Sequence, residues 1–192
     1  MRIAKRWQQW VTTKKDRRMN LYLRLKHWQV FIILIFGQFL ANFEIEIQGY
    51  ENLQLIINVI GQLIYFSWGL FVGHGLYQII PVKIKVNYNL FLINTFIILA
   101  AEIVLRMFFH KREFAFHGLA VLPGFYLVYA FLQYMIFPAI ELRSIENDRK
   151  ADVGECIGDF FLIFLLPIGI WFLQPRINRV IEATRETEIQ NE

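Results

Sequence analysis

Between Trp28 and Leu173 the chain is a succession of apolar runs joined by links too short to fold alone. The runs cover residues 28–43, 53–80, 90–109 and 114–140, with a fifth hydrophobic stretch at 153–174. As a helix, about 20 apolar residues cover the ~30 Å hydrocarbon core of a bilayer. Lipid offers a backbone no hydrogen bonds, so long apolar runs resolve into helices that satisfy their own. The composition agrees: 56% of the 192 residues are hydrophobic and 19 are phenylalanine. The expected fold is all-α, a polytopic integral membrane bundle. It has four transmembrane helices plus a fifth short, kinked hydrophobic helix. A basic tail, residues 1–27, precedes the bundle and a polar tail, 176–192, follows it. A cleavable signal peptide is not expected, because 27 largely polar residues come before the first run. The one cysteine, Cys156, excludes an intrachain disulfide.

Lys/Arg counts set the orientation, because loops rich in these residues stay in the cytoplasm. Residues 1–27 hold nine Lys/Arg and one acid, Asp16, so the N-terminus is placed in the cytoplasm, beside anionic lipid rather than nucleic acid. The 44–52 link has no Lys/Arg and fits the outside; Lys83 and Lys85 return the chain inside. Lys111 and Arg112 then fall outside, a mild violation. Arg143, Arg149 and Lys150 are inside again. If the fifth stretch crossed, Arg176, Arg179 and Arg185 would lie outside, so the charge rule leans against a full crossing.

Polar groups within the runs are the candidates for function, since lipid cannot satisfy them. On the second run Gln54, Asn58, Gln62, Tyr65, Gly69 and Gly73 recur every three or four residues and share one helical face. Gly69-x-x-x-Gly73 is a small-residue pattern for close helix packing, as is Gly154-x-x-x-Gly158. Glu102 and Arg106 are four apart with the acid first, the better order for an ion pair. A pore would use Asn58, Gln62 and Glu102; a membrane enzyme would use Glu155 and Asp159. Two acids four residues apart repel, so a basic partner such as Arg149, Lys150 or Arg143 is expected for them.

No cofactor or metal follows from the four histidines. Of His27, His74, His110 and His117, only His27 and His74 fall at matching depth on separate helices, and His27 is at the polar edge. Zinc signatures, P-loops and nucleophile motifs do not occur. Arg112 to His117 has the spacing of an R-x4-H nuclease pair, but it lies in a membrane turn and a chance match is expected.

Asp152-x-x-Glu155 resembles a capping box, which would start a helix near Val153. Pro167 should kink that helix, and Gln174-Pro175 should end it. Its fully apolar part, 160–173, is 14 residues, which leaves a thin span, a re-entrant segment and an interfacial helix all open.

"IGDFFLIFLLPIGIWFLQPRIN", residues 157–178, together with "SWGLFVG" at 67–73, resembles a group of small multi-span membrane proteins widespread in Bacteroidota. The resemblance implies a bacterial inner-membrane location and no particular chemistry. The expected role is a non-enzymatic accessory or scaffold that works by helix packing against lipid, a second copy or another membrane protein.

Overall fold

The computed structural model describes residues 25–44, 49–81, 83–109 and 121–190. Among these every regular element is helical. They are α1 (His27–Ala41), α2 (Glu51–Ile79), α3 (Tyr88–Phe109), α4 (Val121–Glu146), a 3-10 turn (Val153–Cys156), α5 (Ile157–Phe164) and α6 (Leu166–Gln190). The basic tail before Leu25, His110, Lys111, Arg112 and His117 lie outside the described residues, as does the start of the expected 114–140 helix.

Three helices are long and apolar enough to cross a membrane, over Asn52–Ile79, Tyr88–Met107 and Val121–Glu146. Four were expected. The first run forms a helix of only 15 residues, about 22 Å at 1.5 Å per residue. It ends at Asn42, whose side-chain amide donates to the Gln38 carbonyl (2.8 Å), so the final turn folds back on itself before Phe43.

α1 and α2 run antiparallel at backbone contact. A Cβ on Gly37 would lie 3.1 Å from the Gly61 carbonyl oxygen, and one on Gly61 would lie 2.6 Å from that of Gly37. α2 meets α4 where Tyr134 lies on Gly69 and donates its hydroxyl proton to the Phe66 carbonyl (2.9 Å). One turn on, Gly73 faces Phe91, which stacks on Phe137 with ring centroids 4.3 Å apart. The Gly69/Gly73 face is thus occupied inside the chain. α3 and α4 are joined by amides: Asn94 donates to Gln133 (2.6 Å) and Tyr126 donates to Asn94 (2.8 Å).

α4 runs through Pro138 to Glu146 and does not end near Ile140. Proline withholds one N–H from the helix ladder. Burial of Phe137, Ala139, Glu141, Leu142 and Ser144 holds the helix together beyond it.

The opening of the fifth stretch also differs from expectation. The capping box does not form: Asp152 makes no side-chain cap, and the Glu155 carboxylate is drawn instead to Arg149 (2.6 Å). The first turn is 3-10, held by the Glu155 N–H donating to the Asp152 carbonyl (3.0 Å).

Pro167 does not kink a continuous helix. α5 stops after eight residues, Leu165 leaves the helical region (φ −93°, ψ 44°), and α6 starts immediately in a new direction. The Leu165 carbonyl accepts from both Ile168 (2.9 Å) and Gly169 (2.8 Å). Pro167 sits in the first turn of α6, where a missing N–H costs nothing. The two helices then run back along each other, with Gly169 against the Leu162 backbone and Arg176 against Asp159. The stretch is a helical hairpin. Nor does Pro175 stop the chain, since α6 continues to Gln190 with Ile177, Val180 and Ile181 buried.

Several contacts gather one end of the bundle. Lys83 in the α2–α3 link pairs with Asp148 after α4 (2.6 Å). Asn178 of α6 donates to the Leu25 carbonyl just before α1 (3.4 Å). Arg176 pairs with Glu146 at the end of α4 (2.6 Å). The opposite end is marked by Arg106 of α3 donating to the Ala41 carbonyl at the end of α1 (2.9 Å). Large apolar side chains cover the outside between these ends; Phe96, Phe125 and Val128 are all more than half exposed.

Candidate functional site

The densest group of charges lies at the neck of the hairpin. Asp159, in the first turn of α5, is 2% exposed. Arg176 reaches it with Nη1, and Arg143 from α4 reaches its other oxygen (3.0 Å). Arg176 also donates through Nε (2.9 Å) and Nη2 (2.6 Å) to both oxygens of Glu146, a two-pronged pairing that fits the planar guanidinium. Two arginines and two carboxylates thus form a balanced network that fastens α5 and α6 to the end of α4. Arg143 fulfils the expectation of a basic partner for Asp159, and Arg149 that for Glu155. Arg176 had been assigned to the polar tail, because Pro175 was expected to end the helix; it is instead the residue that Asp159 meets most closely.

Around this neck the loop is tied down. The Ala151 N–H donates to the buried Ser144 hydroxyl (2.9 Å). The Arg149 guanidinium holds the exposed Glu155 carboxyl below its ordinary range. Cys156 is fully buried, and that burial pushes its thiol pKa up. A thiol of this kind reacts slowly while the neck is closed. Gly154 and Gly158 are exposed, with open space where a Cβ would stand.

The other sequence-derived residues are not gathered here. Asn58, 6% exposed on α2, sits beneath the end of α1; with its amide nitrogen turned inward it donates to the Phe43 carbonyl (2.9 Å) and the Gln54 carbonyl (2.8 Å). Gln62 is half-buried one turn further along α2. Glu102 accepts from Arg106 Nε (2.8 Å), and Arg106 caps the Ala41 carbonyl with its other nitrogen. A cation at a helix C-terminus satisfies a carbonyl that the helix leaves open and opposes the negative end of its dipole. Arg106→Ala is therefore expected to lower stability by about 1 kcal/mol and Glu102→Gln by about 0.5 kcal/mol. Thermal denaturation in detergent measures both. A larger loss for Glu102→Gln than for Arg106→Ala would show that the carboxylate has a task beyond holding the arginine.

Sequence reasoning passed over Glu141. It is fully buried on α4, and among the described residues neither carboxylate oxygen has a hydrogen-bond partner. Tyr88 lies within its electrostatic range, and the Tyr88 hydroxyl is in turn hydrogen-bonded to His74, which also meets Gln78 (3.0 Å). Glu141 was hidden because the apolar run was read as ending at Ile140, which put the acid in a loop. Among the described residues no group of three metal-ligating side chains occurs. Compared with protein-family models, with curated proteins and with solved structures, the chain matches none.

Proposed function

We propose that the chain is a multi-pass protein of a bacterial inner membrane that acts as a non-enzymatic scaffold, with the α5–α6 hairpin as its working element. The single observation that carries this reading is the reversal at Leu165, which turns the most apolar stretch into a hairpin fastened at its neck by Asp159 and Arg176. Phe161, Phe164, Leu165 and Ile168 at the tip are all about half exposed or more, a surface suited to lipid or to a neighbouring helix. From Leu165 to Arg176 is on the order of 16 Å of helix, about half of a ~30 Å hydrocarbon core. The hairpin dips into one leaflet and comes back, beside α1–α4 as the crossing helices. α1 is short for this, and flanking residues or local thinning of the bilayer make up the difference.

The charge pattern supports the same arrangement. With the hairpin re-entrant, only Arg106, Lys111 and Arg112 of the 20 Lys/Arg belong to the outer side. Of the groups weighed for a pore or an active site, all but Gln62 favour the scaffold, because Asn58, Glu102, Glu155 and Asp159 are each committed to a structural bond. Gly154 and Gly158 remain as an open small-residue strip beside the neck, the docking face for a partner helix or a second copy.

Topology is the first test. Reporters fused at the N-terminus and after Gln190 are expected to report the same, cytoplasmic, side. Opposite sides would end the re-entrant reading. Gly158→Leu is expected to shrink the assembly seen on a detergent column while leaving the fold intact; an unchanged size would end the scaffold role of this strip.

A further inference from the structure

At the basic end of the bundle, a groove of about 460 Å³ lies between the start of α3 and the last third of α4. Its rim carries Lys85, from the α2–α3 link, and Lys150, from the loop after α4. Both are exposed, and neither has an acidic partner among the described residues, whereas the adjacent Lys83 is paired with Asp148. Asn87 stands at the rim between them and caps α3, its side-chain oxygen accepting the Leu90 N–H (3.2 Å). The first turn of α3 therefore brings the positive end of a 22-residue helix to the same place. Below the rim the groove is apolar, floored by Phe137 and Ile140, with one amide from Gln133. Gln133 is already engaged by Asn94, and the buried Glu141 does not line the groove.

These features ask for a ligand with two parts: an anionic head at the rim and an apolar body beneath it. We propose that the groove binds an anionic glycerophospholipid. The phosphate sits between Lys85, Lys150 and the N-terminus of α3, and an acyl chain lies along Phe137 and Ile140. The inference rests on the membrane placement proposed above, which sets the groove at the cytoplasmic leaflet. Basic side chains at that surface attract anionic lipid.

The test uses the full chain in a neutral detergent, titrated with phosphatidylglycerol, with bound lipid read by native mass spectrometry. Wild type is expected to take up phosphatidylglycerol in preference to phosphatidylcholine. Lys85→Gln and Lys150→Gln should each weaken binding about fivefold, and the pair about 25-fold, from about 1 kcal/mol per basic residue near the surface. Neither lysine side chain is paired among the described residues, so both variants should fold. Lys83→Gln should leave affinity unchanged. Wild-type affinity in the double variant would overturn the site, and an equal loss in Lys83→Gln would reduce it to general charge attraction. Glycerol phosphate displacing the lipid at equal concentration would make it a site for a soluble anion, overturning the lipid assignment. The topology reporters fail or succeed independently of all three outcomes.

Discussion

Asp159→Ala is expected to destabilise the chain by about 3 kcal/mol and to open the hairpin neck. Removing one member of a buried ion pair costs roughly 3–5 kcal/mol, because the remaining charge is left in a poorly solvated place. Here two arginines lose their partner, but their side chains are 24% and 32% exposed, which moves the expectation to the low end of that range. Glu146 still holds Arg176, whereas Arg143 keeps only a 3.9 Å contact with Glu146. The exposed Lys83–Asp148 pair is the internal comparison. Its side chains are 59% and 72% exposed, so Lys83→Ala should cost no more than about 1 kcal/mol. Equilibrium unfolding in detergent supplies the stabilities. Maleimide reaction with Cys156 supplies the local readout, since the only cysteine is fully buried beside the network. Faster labelling of Asp159→Ala at temperatures where α1–α4 stay folded would localise the effect to the hairpin. Equal costs for Asp159→Ala and Lys83→Ala would sink the claim that the neck is a fastening point.

Gly169→Ala should act on the same hairpin from its tip. A Cβ on Gly169 would lie 2.5 Å from the Leu162 carbonyl carbon and 2.8 Å from its Cα, and both atoms are backbone. A flexible side chain could swing aside, but a backbone cannot without moving the helix that carries it. Overpacking of this sort typically costs about 1–3 kcal/mol, occasionally more. Ordinarily alanine favours a helix over glycine by about 1 kcal/mol, so the sign of the change is diagnostic. Net destabilisation with faster Cys156 labelling is the expected result. A Gly169→Ala protein more stable than wild type would mean that α5 and α6 do not touch at Leu162. Gly154→Ala, where a Cβ meets open space, should leave labelling unchanged and serves as the control.

The long apolar helices were legible because their signal is additive: each run of twenty or so residues votes for the same outcome. The predicted bounds of α2 and α3 lie within two residues of the observed ones. Prolines misled. Pro175 was read as a terminator and the fourth run was ended at Ile140, just past Pro138, yet at both places buried apolar neighbours on the far side keep the helix going. Two charged residues were misplaced as a result, Glu141 into a loop and Arg176 into a tail. The hairpin was one of three open readings, because α5 and the start of α6 form a single apolar run and nothing in hydropathy marks a reversal. The local signal was Pro167 followed two residues later by Gly169, a helix start next to a residue without a side chain. Glu155 and Asp159 were correctly read as needing cations. Their roles differ because Asp159 faces α4 and is buried, while Glu155 faces the loop. The close approach of Gly37 and Gly61 escaped notice, since those glycines lie on different helices and no spacing rule links them.

Among the described helices the last touches the first. Trp171 packs on His27 and Phe31, with ring centroids 4.6 and 5.8 Å away, and Asn178 holds the Leu25 carbonyl across 153 residues of sequence. During synthesis α1 is made before α6, so until the 25 residues of α6 leave the ribosome one flank of α1 is uncovered. A helix of eight residues such as α5 is too short to partition into a bilayer by itself, and takes its place only against helices already there. Assembly therefore has a direction, and among the described helices its final step is the one that joins α6 to α1. A polypeptide cut off shortly before Leu166 would carry all three long helices and still leave that flank of α1 an unfinished apolar surface, open to whatever binds such surfaces.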